Sequence, residues 1–351
     1  MDQFVCVRLV QANFIDLNLF QFDYDLTFAA FFLNPDRTVY GRFGSRSERK
    51  DATKEMTIEG FRKALAGALE LHKEYPKNKS ALVAKSGPTA RFETPAEYPS
   101  LRGKYQRTLA YEGKVVQSCM HCHQVREAER LYFHEQKQPI PDQVLYPWPM
   151  PNLIGLALDP NEKALIKAVE KNSPAERAGF KSGDQILKFE KQPVLSIADV
   201  QFVLHNAPEP AKLTAEILRG NKKRNLTLRL GDDWRKVSDI SWRVSTWDLR
   251  RMALGGLVLK EASIDERREK NLSPSDLALV VDYVGEYGAH AAGKKAGFRK
   301  DDIIVGADGR TQRMSESQFI GDFSQNKKIG ERASLTVLRA GERLTFELPM
   351  Q

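Results

Sequence analysis

Ala178-Gly179-Phe180-Lys181-Ser182-Gly183-Asp184 returns 118 residues later as Ala296-Gly297-Phe298-Arg299-Lys300-Asp301-Asp302. The same offset joins Leu226-Thr227-Leu228-Arg229-Leu230 to Leu344-Thr345-Phe346-Glu347-Leu348. The turn at Gly220-Asn221 has its partner in Arg339-Ala340-Gly341-Glu342. Separate stretches that keep one spacing mark an internal duplication. The chain therefore reads as two copies of one module, over residues 151–231 and 232–351, behind a differently built front end.

In the first copy, Leu153 to Leu158 is a strand start with an embedded Gly155, and Ala164 to Val169 is a second strand. Ser173 can cap a short helix, Pro174 fits its first position and Glu176 reaches back, while Gly179 stops it. Asp184 to Phe189 alternates as a strand does. Ser196-Ile197-Ala198-Asp199 opens a second helix with another capping box, and Ile197, Val200 and Leu204 share its apolar face. Two further strands, Leu213–Leu218 and Leu226–Leu230, flank the Gly220-Asn221 turn.

Strands around two helices, with Ala178-Gly179-Phe180-x-x-Gly183-Asp184 between them, resemble a PDZ domain in the order found in bacterial HtrA-type proteases. The resemblance implies a partly open β-barrel that takes a peptide or protein C-terminus as an added strand. It implies that Ile154, Gly155 and Leu156 form the carboxylate loop and strand start, and that Val200 and Leu204 line the groove. A glycine there lets backbone amides converge on a carboxylate. A purely structural or intramolecular use is the plain alternative. The second copy has drifted: Gly183 becomes Asp301, the capping serine has no counterpart at Ala291, and Glu261 to Asp276 is a charged insert. Leu254-Gly255-Gly256-Leu257 would be its carboxylate loop.

The front end reads as a short α/β piece over 1–75. Phe4 to Val10 is β-rich. Leu26 to Leu33 is an apolar run suited to a strand buried on both faces. Asn34-Pro35-Asp36-Arg37 turns it back into Thr38–Phe43 as a hairpin. Ile58, Phe61, Leu65, Leu69 and His72 recur at helical spacing, describing a helix from about Thr57 to Glu74 that ends before Pro76. The order strand, hairpin, helix resembles the C-terminal half of a thioredoxin-like fold. The family's proline is missing near Asp25-Leu26-Thr27, and its redox cysteine pair is not in this segment. Cys6 reads as a small buried hydrophobe. Residues 76–112 carry Pro76, Pro88, Pro95 and Pro99 among lysines and arginines and read as a basic linker. The expected fold class is thus α+β multidomain: a partial thioredoxin-like segment followed by two PDZ-like partly open barrels.

Residues 113–150 hold Ser118-Cys119-Met120-His121-Cys122-His123, with two of the chain's three cysteines. Two thiols three apart on one helical turn, followed by an imidazole, are what covalent haem attachment requires. The motif resembles the haem site of cytochromes c. That resemblance implies thioether bonds at Cys119 and Cys122, His123 as axial ligand of haem c, and Met150 or His134 as the sixth. His121 is poorly placed inside the motif. Zinc on Cys119, Cys122, His134 and either His121 or His123 is an alternative. So is a dithiol pair whose neighbouring histidines lower a thiol pKa, or two cysteines without a cofactor.

The 351 residues carry a net charge of +8, 41% hydrophobic and 28% charged residues. That suits two or three folded domains. No dense basic cluster with interleaved aromatics argues for nucleic acid, and no run of 18 apolar residues spans a bilayer. Met1-Asp2-Gln3-Phe4 does not open a signal peptide, and the chain reads as starting inside a strand, so an upstream segment is expected. No Gly-x-Ser-x-Gly elbow or His-Glu-x-x-His motif is present. The balance falls on a non-catalytic, periplasmic or envelope PDZ adaptor for peptide or protein C-termini, carrying haem for electron transfer or redox sensing and meeting a redox partner. The alternatives are a PDZ interaction protein with structural zinc or no cofactor, and a thiol-disulfide protein using Cys119 and Cys122.

Overall fold

The computed structural model describes residues 3–50 and 54–351; Met1 and Asp2, part of the stretch read for a leader, lie outside it. Two strands, β1 (Ala30–Leu33) and β2 (Val39–Phe43), pair antiparallel as the turn residues predict. Arg37 closes the turn at φ +70, its amide donating to the Asn34 carbonyl at 2.8 Å. Helix α1 (Ile58–Lys73) begins where Thr57 accepts the Gly60 amide at 3.0 Å. Phe61 and Leu65 pack on the core as the spacing predicts, while Ile58 is exposed and the fully buried positions are Gly60, Ala64, Gly67 and Ala68. The helix lies too close to its neighbours for larger side chains: a Cβ on Gly60 would stand 2.1 Å from the Pro160 carbonyl oxygen.

The partial thioredoxin-like segment does not stand. β1 and β2 form a two-stranded sheet with no further strand beside them among the described residues. The β-rich Phe4 to Val10 makes no strand, and Val5 and Val7 are exposed. The apolar run before the turn is strand only from Ala30 onward, with Leu33 exposed. Cys6 is exposed rather than buried. Short helices follow: α2 (Lys79–Leu82), α3 (Val115–Ser118), α4 (His123–Glu135) and α5 (Asp142–Leu145).

The first repeated module holds β3 (Leu156–Leu158), β4 (Ile166–Val169), α6 (Pro174–Arg177), β5 (Gln185–Phe189), β6 (Gln192–Pro193), α7 (Ile197–Asn206), β7 (Ala211–Arg219) and β8 (Lys222–Leu230). Its sheet runs β6-β5-β7-β8, with β3-β4 as a separate pair. Ile154, Leu156, Phe180, Ile186, Phe189, Val200, Leu204 and Leu228 fill one core between them. The second module holds α8 (Thr246–Leu254), β9 (Leu257–Glu261), α9 (Ile264–Glu269), β10 (Leu279–Val284), α10 (Ala292–Ala296), β11 (Ile303–Ala307), α11 (Glu316–Asn326), β12 (Arg332–Arg339) and β13 (Glu342–Pro349). Here one sheet runs β13-β12-β11-β10-β9. The chain forms two compact units: one holds residues through Tyr132 with Pro147–Arg235, the other Phe133–Tyr146 with Lys236–Gln351.

The duplicated heptapeptide has one structural job in both modules. Asp184 is fully buried and accepts from Arg219 at 2.6 and 2.7 Å and from the Lys181 amide at 2.9 Å. Arg219 also donates to the Gly179 carbonyl at 2.7 Å. Asp302, Arg339, Arg299 and Gly297 repeat every one of these bonds. The turn between them needs left-handed backbone, and Gly183 at φ +85 is matched by Asp301 at φ +67. The drift from glycine to aspartate keeps the conformation, since a short polar side chain tolerates it.

A second buried network holds the front end on the first module. Lys85 Nζ meets Asp199 Oδ2 at 2.7 Å, with both side chains wholly buried. The other Asp199 oxygen accepts the Arg42 amide at 3.2 Å, and Oδ2 also accepts the Leu195 amide at 2.8 Å. Asp199 was expected to close a capping box on Ser196; it is diverted into this network, while Ser196 caps by accepting the Ala198 amide at 3.1 Å and donates to the Arg42 carbonyl at 2.5 Å. Arg42 lies 3.7 Å over the Phe202 ring and donates to the carbonyls of Gln21 and Lys85 at 2.9 and 2.7 Å. Burial pushes the Lys85 ammonium down to about 8, against the pull of Asp199.

Removing one member of a buried pair strands the other charge, at a cost of about 3–5 kcal/mol. Lys85→Met is therefore expected to lower stability by about that much in urea unfolding followed by tryptophan fluorescence. Adding Asp199→Asn, which removes the stranded charge and keeps an oxygen for the amides, should recover part of the loss. A Lys85→Met protein as stable as wild type would show the pair to be dispensable.

Candidate peptide-binding groove

The loop read as a carboxylate cradle is built by a single-turn 3-10 helix, Pro151–Ile154, that ends on Gly155. Met150 caps that turn in extended conformation. Gly155 has φ +86, and a Cβ there would stand 2.2 Å from the Ser173 side chain, so both conformation and space demand glycine. The Gly155 carbonyl accepts the Glu170 amide at 2.9 Å, which ties the loop to the end of β4.

Leu156, one residue on, is buried and Ala157 is exposed, as the strand period requires. β3 pairs with β4 along one edge, and no strand lies along its other edge among the described residues.

Ile154, Leu156, Val200 and Leu204 all belong to the same buried core. These loop, strand and helix residues are each at most 1% exposed and pack on one another as the core of the module. The next positions around α7 went unread in the sequence. Gln201 donates to the Trp148 carbonyl at 3.0 Å, and His205 stacks on the Trp148 indole at 4.7 Å between centroids. The Trp148 amide donates to His205 Nδ1 at 3.4 Å. The only signal for this was their i, i+4 spacing on a helix preceded by a proline-rich stretch. With Arg42, Lys85 and Trp148 around it, α7 is buried from Ile197 through Leu204.

The Cys-x-x-Cys-His stretch is built differently from a haem or zinc site. Cys119 ends α3, and α4 begins at His123, so a helix break separates the two thiols rather than one turn presenting both. Met120 between them is buried in a core with Leu17, Tyr24, Tyr98, Leu101, Val125 and Ala128, and Cys122 packs against that core. The space on the inner side of the motif is filled by the chain's own side chains. His123 Nδ1 is engaged by Glu127 Oε1 at 2.9 Å, which raises the imidazole pKa. His134 lies in the second unit, where Nε2 meets the Gln351 carbonyl. No group of three cysteine or histidine donors at metal-binding distances occurs among the described residues.

Both cysteines are free, and burial, followed by the neighbouring Cys119, raises the Cys122 thiol rather than lowering it. The expected low-pKa dithiol is thereby corrected, as are haem on Cys119, Cys122 and His123 with Met150 or His134, and zinc on the same residues.

Comparison with known proteins agrees with the modules and not with the cofactor. Residues 165–228 and residues 276–350 each match a PDZ domain model. Neither match reaches the loops at Gly155 or Gly255-Gly256. A probable periplasmic serine endoprotease, DegP-like, of Pseudomonas putida (strain F1) is 34% identical over 55% of this chain and 39% of its own length. The DegP-like protein of Rickettsia conorii is 20% identical over 56% of this chain and 39% of its own. The periplasmic serine endoprotease DegP of Escherichia coli (strain K12) is 28% identical over 44% and 28%. The chain spans about two fifths of the length of the DegP-like relatives it matches.

Among solved structures, the serine endoprotease of Yersinia pestis aligns with TM-score 0.21 at 22% identity, over 22% of this chain and 28% of that one. An HtrA-type protease solved with a decapeptide aligns with TM-score 0.25 at 13% identity, over 40% of each chain. The sequence likeness to the DegP-like relatives corrects two further expectations. The chain is similar to DegP-like proteins, not to thioredoxins or cytochromes c, and those relatives are serine endoproteases, against the leaning towards a non-catalytic redox adaptor. Likeness to periplasmic proteins places the chain in the periplasm or cell envelope. No helix among the described residues is long and apolar enough to cross a membrane.

Thiol chemistry checks the corrected motif. With iodoacetamide at neutral pH, Cys6 is expected to label first and Cys122 slowest, by at least about tenfold, because a half-buried thiol of raised pKa supplies little thiolate. Peptide mass spectrometry over a time course reads the order. Cys122 labelling as fast as Cys6 would restore an activated thiol.

Proposed function

We propose that the chain captures peptide and protein C-termini on its first PDZ module, within an HtrA-type serine endoprotease system of the periplasm. The observation that carries this is β3: among the described residues it has a strand on one edge only, and it follows a glycine whose left-handed turn ends a tight loop. An extended chain end laid along the open edge takes up strand hydrogen bonds, which give affinity without demanding a sequence. The PDZ resemblance puts its carboxylate beside the loop Ile154, Gly155 and Leu156, which turns at Gly155 with φ +86. Its last side chain lies on the side of the module that Leu156, Val200 and Leu204 close, each at most 1% exposed, so an apolar end suits it. The DegP-type kinship supports proteolysis as the purpose of capture: a bound C-terminus tethers a substrate and raises its effective concentration.

The test compares one labelled peptide with a free apolar C-terminus and the same peptide amidated, by fluorescence anisotropy on the full chain. The free acid is expected to bind at least about tenfold more tightly, the worth of one charge-assisted bond set. Gly155→Ala, which forces a side chain into left-handed backbone against Ser173, should abolish that preference. Cleavage of an unfolded protein in the same samples, read on gels with a serine-directed inhibitor as control, tests the proteolytic half. Equal binding of acid and amide would end the C-terminus reading.

A further inference from the structure

The second module has its own version of the open strand edge, and something already lies on it. Among the described residues β9 is the end strand of the five-stranded sheet, paired only with β10. On its outer side the Leu259 amide donates to Glu316 Oε1 at 2.8 Å. Glu316 is the first residue of α11, the helix that corresponds to α7. Its carboxylate is 5% exposed and held in a fork by Arg250 of α8, at 2.8 Å from Nε and 2.6 Å from Nη2. Arg250 is itself buried and also donates to the Ser241 carbonyl at 3.0 Å.

The geometry points to a second module that is ligated by its own side chain: we propose that the Glu316 carboxylate, pinned by Arg250, occupies the strand edge at Leu259 and closes this PDZ module to peptide C-termini. A carboxylate accepting an edge amide is the interaction a bound peptide backbone would make, supplied here from within. A peptide must displace it and leave Arg250 buried without its partner, which costs far more than one strand hydrogen bond returns. The first module lacks this device. Ser196 and Ser315 cap equivalent helices, and the residue after them is Ile197 in one and Glu316 in the other. An isoleucine has no acceptor to offer the edge of β3. One duplication has thus yielded one open and one self-closed module. The inference rests on the reading of these modules as strand-adding peptide binders.

The experiment titrates the free-acid peptide into the full chain by calorimetry, with amide shifts of isotope-labelled protein locating each site. Wild type should take one peptide per chain, with shifts around Gly155 and none at Leu257–Glu261. Arg250→Met combined with Glu316→Leu exchanges the pair for apolar groups of similar size, a replacement buried pairs commonly tolerate. That variant should take a second peptide, located at Leu257–Glu261, with apparent affinity there raised at least about tenfold. A wild type that takes two peptides, or a folded double variant that takes only one, overturns the closure and leaves the first-module reading standing. If neither protein binds peptide, the first-module reading has failed. In that case, or if the double variant does not fold, hydrogen exchange at the wild-type Leu259 amide decides. Protection like that of the paired amides of β10 supports occupation of the edge, and exchange at the rate of a free strand edge overturns it.

Discussion

The buried aspartate that follows each Ala-Gly-Phe turn is the constraint on which both modules depend. Asp184 and Asp302 each gather an arginine from the end of a long hairpin, an amide of the turn and, through the arginine, the carbonyl that ends the short helix. A carboxylate removed from water must be fully paired, and a guanidinium fork satisfies it in one plane. The helix–turn–strand corner is thereby fixed against the hairpin β7–β8 in one module and β12–β13 in the other. The core residues that follow the turn, Phe180 and Phe298, are buried at corresponding places as a result. This accounts for the survival of the aspartate and its arginine while Gly183 could drift to Asp301.

Much of the modular half was legible because its signals are local. Proline after a capping serine, glycine at a helix end and alternation along strands act over a few residues, and Ser173, Gly179 and the two hairpins stand where those signals put them. The repeat spacing then carried the reading from one copy to the other. What stayed hidden was made by partners far apart in the chain. Nothing in the neighbourhood of Asp199 says that its partner is Lys85, and a capping box was the better local reading. Arg219 and Arg339 stand beside hairpin turns, and nothing local ties them to Asp184 and Asp302. Glu316 has no sequence neighbour that points to Arg250, 66 residues away.

The front end was misread for a related reason. Strand, turn and helix in that order are common to many α/β pieces, and periodicity cannot say whether a sheet continues beyond two strands. On α1, Phe61 and Leu65 pack on the core as the apolar stripe predicts, Ile58 is exposed, and the fully buried positions are Gly60, Ala64, Gly67 and Ala68. Close approach selects small residues, which hydrophobic periodicity undervalues. Cys119 to His123 was over-read in the other direction. A five-residue motif specifies ligand types but not the space they need, and here Met120, Val125 and Ala128 fill that space.

Helix α7 is gripped from outside by groups the repeat unit does not contain: Arg42 and Lys85 at its first turns and Trp148 along its flank. One helix thus answers to two parts of the chain: the module's own core on one side, and on the other the segment ahead of residue 151. That segment therefore belongs to the fold of the first module, and its buried charges have no counterpart within residues 151–231 to take their place.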